Sequence, residues 1–200
     1  MTEGLAVILL AAGSSQRMGA PNKLLLKIDG IPIVQRVAAS LCKAQVGRVY
    51  VITGYEASLV KASLSEVRVS FIHNPDWPMG MGSTLARGVR EIPEPEDGYL
   101  VCLADLPFLG ELDVKAVVGA FYDSDKQKIV QPEFENTPGH PTIFPKKFRE
   151  KLAVLSGDEG ARALLRGEKY RRVKEVSHGV IRDLDTPESF DTLRKKSRGS

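Results

Sequence analysis

The stretch Leu5-Ala-Val-Ile-Leu-Leu10, followed by Ala11-Ala12-Gly13-Ser14-Ser15, decides the fold of this chain. Six consecutive apolar residues are typical of a parallel strand that is covered on both faces. The small residues after it predict a loop whose backbone N–H groups can approach a ligand closely and point at its phosphates. The chain therefore begins with a buried strand that delivers a glycine loop to one edge of a sheet.

Strand and helix patterns alternate along the rest of the chain. Predicted strands cover residues 48–52, 67–72, 99–103, 128–131, 141–144 and 172–176, and predicted helices cover 32–44, 57–64, 83–90, 112–122, 147–155, 160–166 and 187–195. Ser83 or Thr84 is the predicted N-cap of the third helix. The alternation predicts a single-domain α/β fold, a doubly wound, mostly parallel sheet with a Rossmann-like nucleotide-binding half. Ligands bind such sheets beyond the carboxyl ends of the strands, so the loops after Leu10, Ile72 and Leu103 are expected on one edge.

Composition and charge exclude several classes of partner. The apolar share of 42% and the charged share of 26% are ordinary for a globular protein. A net charge of +3, without a block of like charges before Arg194–Arg198, argues against a nucleic-acid partner. No apolar run approaches the ~18 residues of a membrane span. Cys42 and Cys102 lie in apolar stretches, which favours buried free thiols and, without a signal peptide, a cytoplasmic location.

The glycine loop also contains two cationic residues, Arg17 and Lys23, which suit a triphosphate. Two familiar phosphate motifs fail on spacing. A dinucleotide fingerprint needs glycine where Ser15 stands, and a Walker A loop needs Gly13 and Gly19 one residue closer together. A solvated turn with no ligand remains the alternative that loop composition alone leaves open.

Six segments, in order, resemble one family, the molybdenum-cofactor nucleotidyltransferases. The first is the opening, Leu10–Gly13 with Arg17–Gly19 and Lys23–Leu25; the others are Asn74–Ser83, Leu103–Pro107, Gly139–Pro141, Ser156–Arg162 and Asp183–Pro187. The likeness is greatest to the cytidylyltransferase branch and its purine-hydroxylase accessory relatives, which are MobA-like NTP transferases of the nucleotide-diphospho-sugar transferase superfamily. The domain is expected to span residues 1–196, with a disordered tail at 197–200.

The resemblance implies a reaction and a set of residues. CMP would pass from CTP to a phosphorylated pterin, a molybdopterin-type cofactor, with release of pyrophosphate and with Mg²⁺ as cofactor. The catalytic group would be Lys23 on the α-phosphate, Arg17 on the β- and γ-phosphates, and Asp105 on the metal, with Asp185 as the second metal carboxylate. The nucleotide would also contact Leu10, Ala11, Ala12, Gly13, Gly82 and Ser83, and the acceptor would contact Gly80, Met81, Thr84 and His140. A target molybdoenzyme is the further partner that the family implies.

Several alternatives stay open. Asp105 and Asp185 also fit capping positions, His140 fits a structural turn, and Trp77 fits either a core anchor or a ligand contact. The segment Asn136-Thr-Pro138 departs from the Arg-Gly pair that relatives often carry, which puts acceptor contacts there in doubt. By resemblance, Leu10-Ala-Ala-Gly13 goes with CTP rather than GTP. The rivals are a guanylyltransferase of the same family, a sugar-1-phosphate nucleotidylyltransferase and a non-catalytic chaperone that binds nucleotide or cofactor.

Overall fold

The computed structural model describes residues 4–14, 22–166, 168 and 170–181, and a mixed sheet runs through them. The strands are β1 Leu5–Ala11, β2 Lys27–Ile28, β3 Ile31–Pro32, β4 Gly47–Thr53, β5 Ser70–His73, β6 Gly98–Leu103, β7 Ile129–Phe134, β8 Thr137–Pro138, β9 Thr142–Pro145 and β10 Tyr170–Val173. The α-helices are α1 Ile33–Ala44, α2 Ala57–Ser63, α3 Met81–Glu91, α4 Glu111–Tyr122, α5 Arg149–Ala153 and α6 Arg162–Leu165. Short 3-10 helices cover Lys23–Leu25, Trp77–Met79, Lys146–Phe148 and His178–Val180.

The main sheet has the strand order β10-β7-β9-β6-β1-β4-β5, with β8 paired to β7 at one side. The pairs β1–β4, β1–β6, β4–β5 and β7–β10 are parallel, whereas β9 runs antiparallel to both of its neighbours. The predicted mixed α/β fold with a mostly parallel sheet is therefore confirmed. Among the residues described, no helix is long and apolar enough to cross a membrane.

Strand β1 is buried on both faces, as its continuous apolar run predicts. Leu5, Val7 and Leu9 belong to the core shared with α1 and α4. Ile8 and Leu10 point to the other core, which α3 and α5 cover. Alternate side chains of a strand lie on opposite faces, and each fully buried one contributes about 1.5–3 kcal/mol. The end of β1 is consequently held from both sides, and so is the start of the glycine loop.

Four parallel strands end together at the edge that β1 delivers. Leu10 of β1 stands beside Leu103 of β6, and Ala11 stands beside Thr53 of β4. Thr53 in turn pairs with His73 at the end of β5. The loops after β1, β5 and β6 therefore gather on one edge, as expected from the sequence.

The predicted start of α3 is wrong by two residues. The helix begins at Met81 with Gly80 as its N-cap, and not at Ser83 or Thr84. The hydroxyl of Ser83 donates to the carbonyl of Gly80 at 2.9 Å, which is a bond within the first turn. Hydrogen bonding to a carbonyl three residues back is a common alternative to capping for serine in a helix.

Other boundaries differ where pairing overrides the local pattern. Strand β10 pairs with Ile129–Pro132 and so lies earlier than the predicted 172–176, and β5 begins only at Ser70. The predicted helix 147–155 is a 3-10 turn followed by the short α5. The hairpin β2–β3 was not predicted, although Asp29 and Gly30 supply the two positive φ angles, 51° and 78°, that such a turn requires. The predicted helix 187–195 lies outside the described residues.

Candidate active site

The glycine loop leaves β1 between two neighbouring strands. The carbonyl of Leu10 accepts a hydrogen bond from the N–H of Ala104 at 3.1 Å, and the carbonyl of Ala12 accepts one from Tyr55 at 3.0 Å. Gly13 is exposed, and no described atom lies within 4 Å of where its Cβ would stand. Leu10, Ala11, Ala12 and Gly13 thus end at the predicted ligand edge. Arg17 and Gly19, which belong to the same prediction, lie outside the described residues.

Lys23 returns the chain to this edge. It opens the 3-10 helix Lys23–Leu25, which Asn22 caps by accepting a hydrogen bond from the N–H of Leu24 at 3.1 Å. Leu24 is only 4% exposed and anchors the turn in the core beside α1. A turn held by a buried leucine and by a side-chain cap gives Lys23 a fixed origin.

Asp105 meets Lys23 across the edge. The ammonium Nζ of Lys23 lies 2.7 Å from Oδ2 of Asp105, and the two side chains are 14% and 16% exposed. Asp105 follows β6 by two residues, so its position is set by the sheet rather than by a helix that it caps. The structure brings together these two residues, 82 positions apart, which the resemblance assigns to one site without predicting the ion pair between them. Their roles toward nucleotide and metal remain predictions.

The second oxygen of Asp105 has a different environment. Oδ1 is buried and has no hydrogen-bond partner in the described part of the chain. A buried polar group without a partner costs about 1–3 kcal/mol, and such groups are uncommon outside functional sites. A hard divalent cation prefers one or two carboxylates together with phosphate oxygens and water. Asp105 therefore fits the predicted Mg²⁺ on chemical grounds.

The described residues provide no complete metal site by themselves. They contain no group of three or more His, Cys, Asp or Glu side chains that could hold a metal ion. Asp185, the second predicted carboxylate, lies outside the described residues, so its part in the site stays a prediction. Asp105 is the one predicted metal ligand whose surroundings can be examined.

His140 lies near the same carboxylate. The ring atom Nδ1 of His140 is 3.4 Å from the carbonyl of Val101. The backbone N–H of His140 donates to the carbonyl of Val180 at 2.8 Å. Burial lowers the pKa of His140, although the Val101 carbonyl and the charge of Asp105 act in the opposite direction. A carbonyl only accepts, so this bond places the hydrogen on Nδ1 and leaves Nε2 of the neutral ring as an acceptor. Donation from Nε2 to an oxygen of the predicted acceptor requires a protonated ring.

The segment from Asn74 to Thr84 is held by its own side chains. The buried amide of Asn74 donates to the hydroxyls of Thr84 at 3.1 Å and Ser83 at 3.3 Å. The N–H of Gly82 donates to the carbonyl of Gly157 at 2.7 Å. Gly80 has a φ of 95°, and a Cβ there would lie 2.5 Å from the carbonyl carbon of Gly157. Gly82, Ser83 and Thr84 are thus held by hydrogen bonds within the protein, and their assignment to ligands remains a prediction.

The same segment contains two methionines and a tryptophan that pairs with Tyr55. Met79 and Met81 are 62% and 40% exposed. Trp77 packs edge-on against Tyr55, with 5.5 Å between ring centroids. A Cβ on Gly54 would lie 2.5 Å from Cβ of Trp77 and 2.8 Å from Cβ of Ala12, so the tryptophan lies next to the glycine loop. No sequence pattern connects Tyr55 with this site.

The two thiols are not part of the site geometry. Cys102 is fully buried and free, and burial raises its pKa. Cys42 is free and half-buried, with its pKa also raised by burial. Raised pKa values keep both thiols protonated and poorly reactive near neutral pH.

The model of the MobA-like NTP transferase domain matches residues 7–176, and the chain belongs to that family of nucleotidyltransferases. Nicotine blue oxidoreductase of Paenarthrobacter nicotinovorans is 31% identical over 96% of this chain and 94% of its own length. The purine catabolism protein PucB of Bacillus subtilis is 29% identical over 94% and 95% of the two chains. The molybdenum cofactor cytidylyltransferase of Escherichia coli is 25% identical over the same shares, 94% and 95%.

Solved structures share the fold. A homologue of Mycobacterium tuberculosis Rv0371c from Mycobacterium sp. strain JC1 superimposes with a TM-score of 0.83, 22% identity and complete coverage of both chains. Rv0371c itself, in a complex with manganese, gives a TM-score of 0.79 and 20% identity over 96% of this chain and 98% of its own. These likenesses confirm the predicted fold, and the family model and the curated relatives confirm the resemblance to the family noted from six sequence segments.

Proposed function

We propose that the protein transfers CMP from CTP to a molybdopterin-type cofactor, with release of pyrophosphate and with Mg²⁺ as its metal. The observation on which this rests is the ion pair between Lys23, which opens a 3-10 helix, and Asp105, which follows β6, with Oδ1 of Asp105 buried and without a partner among the described residues. The 25% identity to a molybdenum cofactor cytidylyltransferase over 94% of this chain supports the substrate class.

The chemistry asks the protein for position and charge rather than for a covalent intermediate. An acceptor phosphate oxygen attacks the α-phosphorus in line, and pyrophosphate leaves with the bonding electron pair. Lys23 would stabilise the charge that develops on the α-phosphate oxygens, and the glycine loop from Leu10 to Gly13 would hold the base and ribose. A divalent cation bound by Asp105, and by Asp185 if the prediction for it is right, would neutralise phosphate charge.

His140 would face the acceptor rather than the nucleotide. Its neutral ring presents Nε2 as an acceptor when Nδ1 donates to Val101. In that form it suits a hydroxyl or N–H donor on the acceptor better than an anionic oxygen. Met81, 40% exposed, would offer an apolar surface to the ring of the acceptor.

Separate observations support the choice of Mg²⁺ and a cytoplasmic location for the protein. The complex of a fold relative with manganese agrees with a divalent cation, while Mg²⁺ is our choice because it is the usual partner of triphosphates. The free thiols of Cys42 and Cys102 agree with a reducing cytoplasm. A target molybdoenzyme would receive the product.

A second candidate follows from the 31% identical relative, whose name describes oxidation and reduction of nicotine blue. The loop spacing of Gly13, Ser15 and Gly19 does not match a dinucleotide fingerprint, which is why we place this candidate second. A spectrophotometric assay of nicotine blue with the purified protein tests it directly.

The test of the main proposal is pyrophosphate release in Mg²⁺ buffer with CTP, GTP, ATP or UTP, with and without molybdopterin. Release with CTP only in the presence of molybdopterin supports the proposal. Release with GTP moves the protein to the guanylyl branch of the family. Measurable NTP binding with no release from any of the four contradicts transfer to this acceptor and favours a binding protein that hands on the cofactor.

A further inference from the structure

Asn22 has an unusual environment for a residue that only caps a turn. Its side chain is 4% exposed, and its Oδ1 accepts a hydrogen bond from the N–H of Leu24. Its Nδ2, which carries two hydrogens, is buried and has no hydrogen-bond partner among the residues the structure describes. Half of the amide is therefore explained by the fold, and the donor half is not.

The chemistry of Nδ2 limits what can bind it. An amide NH₂ donates and does not accept, so its missing partner must be an acceptor such as an oxygen. Because it has no lone pair to offer, it cannot be a metal ligand. Oδ1 of Asp105 is an acceptor with no partner among the described residues, and Lys23 connects the two residues, since it follows Asn22 in sequence and pairs with Asp105.

The two atoms without partners are thus complementary to two parts of a metal–triphosphate ligand. Oδ1 of Asp105 suits a cation, and Nδ2 of Asn22 suits an anionic oxygen. Both atoms are buried, so a ligand reaches them only if binding exposes them. Lys23, which follows Asn22 in sequence and pairs with Asp105, is 14% exposed and so contacts solvent.

We propose that Asn22 binds the nucleotide by donating from Nδ2 to a phosphate oxygen beside Lys23. The inference rests on the proposed nucleotide function and adds a binding residue to it. A neutral donor next to a lysine suits a phosphate oxygen because it adds a directed hydrogen bond without further positive charge. Through Oδ1, Asn22 would then cap the turn that positions Lys23, and through Nδ2 it would donate to the ligand.

Two variants separate the cap from the ligand contact. In Asn22→Ser the hydroxyl keeps an acceptor for the N–H of Leu24, since serine is as good an N-cap as asparagine. The amide NH₂ is replaced by one O–H that starts one bond closer to the backbone and so does not reach the same position. In Asn22→Asp the cap is kept and the donor becomes a carboxylate. Asn136→Asp, at an exposed turn position, controls for the change of charge.

The measurement is the dissociation constant by isothermal titration with Mg²⁺ and each NTP, and with Mg²⁺ and inorganic triphosphate. A lost hydrogen bond to a charged group weakens binding about 10-fold or more. We expect Asn22→Ser to weaken both probes by that amount, Asn22→Asp to weaken them further, and Asn136→Asp to bind as the wild type does. Thermal unfolding of all variants is measured alongside, and we expect no large fall in Tm.

Three results overturn the inference without affecting the proposed function. Wild-type affinity in Asn22→Ser, whatever Asn22→Asp does, means that the amide donor makes no contribution to binding. Weaker NTP binding with unchanged triphosphate binding removes the phosphate from the assignment. A fall in Tm that accounts for the loss, with affinity recovered at lower temperature, makes Asn22 a structural cap alone. Failure of the wild type to bind any NTP overturns the proposed function together with this inference, so the two failures are distinguishable.

Discussion

A lysine–aspartate pair lies at each end of strand β6, and the two pairs differ in how many oxygens of the aspartate are hydrogen-bonded. At its carboxyl end, Lys23 lies 2.7 Å from Asp105, and Oδ1 of that aspartate has no partner among the described residues. At its amino end, Lys126 lies 2.8 Å from Oδ1 of Asp97, and the hydroxyl of Tyr122 donates to Oδ2 at 2.9 Å. The distances are nearly equal, so distance does not distinguish the pairs.

The comparison teaches that unsatisfied hydrogen-bonding capacity, rather than an ion pair, marks a site for ligands. Both oxygens of Asp97 accept hydrogen bonds from protein groups, and its backbone N–H donates to the carbonyl of Gly4. The hydrogen-bonding capacity of Asp97 is therefore used within the protein. Asp105 keeps one oxygen unused at a cost in stability. The pair at Asp97 is structural, and the pair at Asp105 is the one we assign to the reaction.

The largest expected effect is on turnover in Asp105→Asn. The substitution keeps the size of the side chain and removes the charge that suits a metal, so we expect pyrophosphate release to fall about 10³-fold. Asp97→Asn should stay within about 2-fold of wild-type turnover while losing about 1 kcal/mol of unfolding free energy. Pyrophosphate release and urea unfolding check both. Unfolding of Asp105→Asn would instead favour a structural role for that carboxylate.

The lysines give the next comparison. In Lys23→Ala we expect kcat to fall about 10²-fold while NTP affinity changes far less, because the charge of Lys23 acts most strongly in the transition state. Lys126→Ala, whose lysine is 45% exposed, is the matched control and should leave kcat unchanged. Steady-state kinetics over NTP concentration separate kcat from KM. An equal loss in kcat and affinity would contradict the role given to Lys23.

The two ends should also lose stability in different pH ranges. Burial alone would raise the pKa of Asp97, but hydrogen bonds from Lys126 and Tyr122 outweigh it and lower that pKa below 3.8. Stability from Asp97 is therefore present above pH 3.8 and lost as the pH falls below it. The pKa of His140 is lowered by burial from 6.5, so the unfolded chain binds the proton first and stability falls as the pH drops below 6.5.

Urea unfolding at a series of pH values measures both slopes. His140→Asn, whose amide nitrogen can replace Nδ1 as the donor to Val101, should remove the slope that begins at pH 6.5. Asp97→Asn should remove only the slope below pH 3.8. An unchanged slope in His140→Asn would mean that another group titrates there.

The smallest expected effect is optical. Trp77 is the only tryptophan of the chain, and it lies against Gly54 and Ala12 at the carboxyl end of the sheet. We expect a saturable change in its fluorescence on addition of Mg²⁺ and NTP. Tyr55→Leu, which removes the ring partner, should alter the emission and keep the response to nucleotide. No response in the wild type, at concentrations where titration shows binding, would place the nucleotide away from Ala12.

The sequence predicted those parts of the molecule that depend on local pattern. The buried run Leu5–Leu10 predicted β1 and the edge at which it ends, and the family resemblance assigned Lys23 and Asp105 to one site, although their ion pair was not predicted. The start of α3 at Met81 was missed because Ser83 bonds back to Gly80 instead of capping. The saturation of Asp97 and the lack of a partner for Asn22 depend on residues distant in sequence, and no local pattern records them.

The most direct test of the account is nucleotide binding at the two ends of β6. Isothermal titration with Mg²⁺ and the NTP that supports pyrophosphate release compares the wild type, Asp105→Asn and Asp97→Asn, without acceptor. We expect Asp97→Asn to bind as the wild type does and Asp105→Asn to bind about 10-fold more weakly or worse. Wild-type affinity in Asp105→Asn, or loss of binding in Asp97→Asn, would contradict the claim that the aspartate with the unused oxygen holds the metal and its nucleotide.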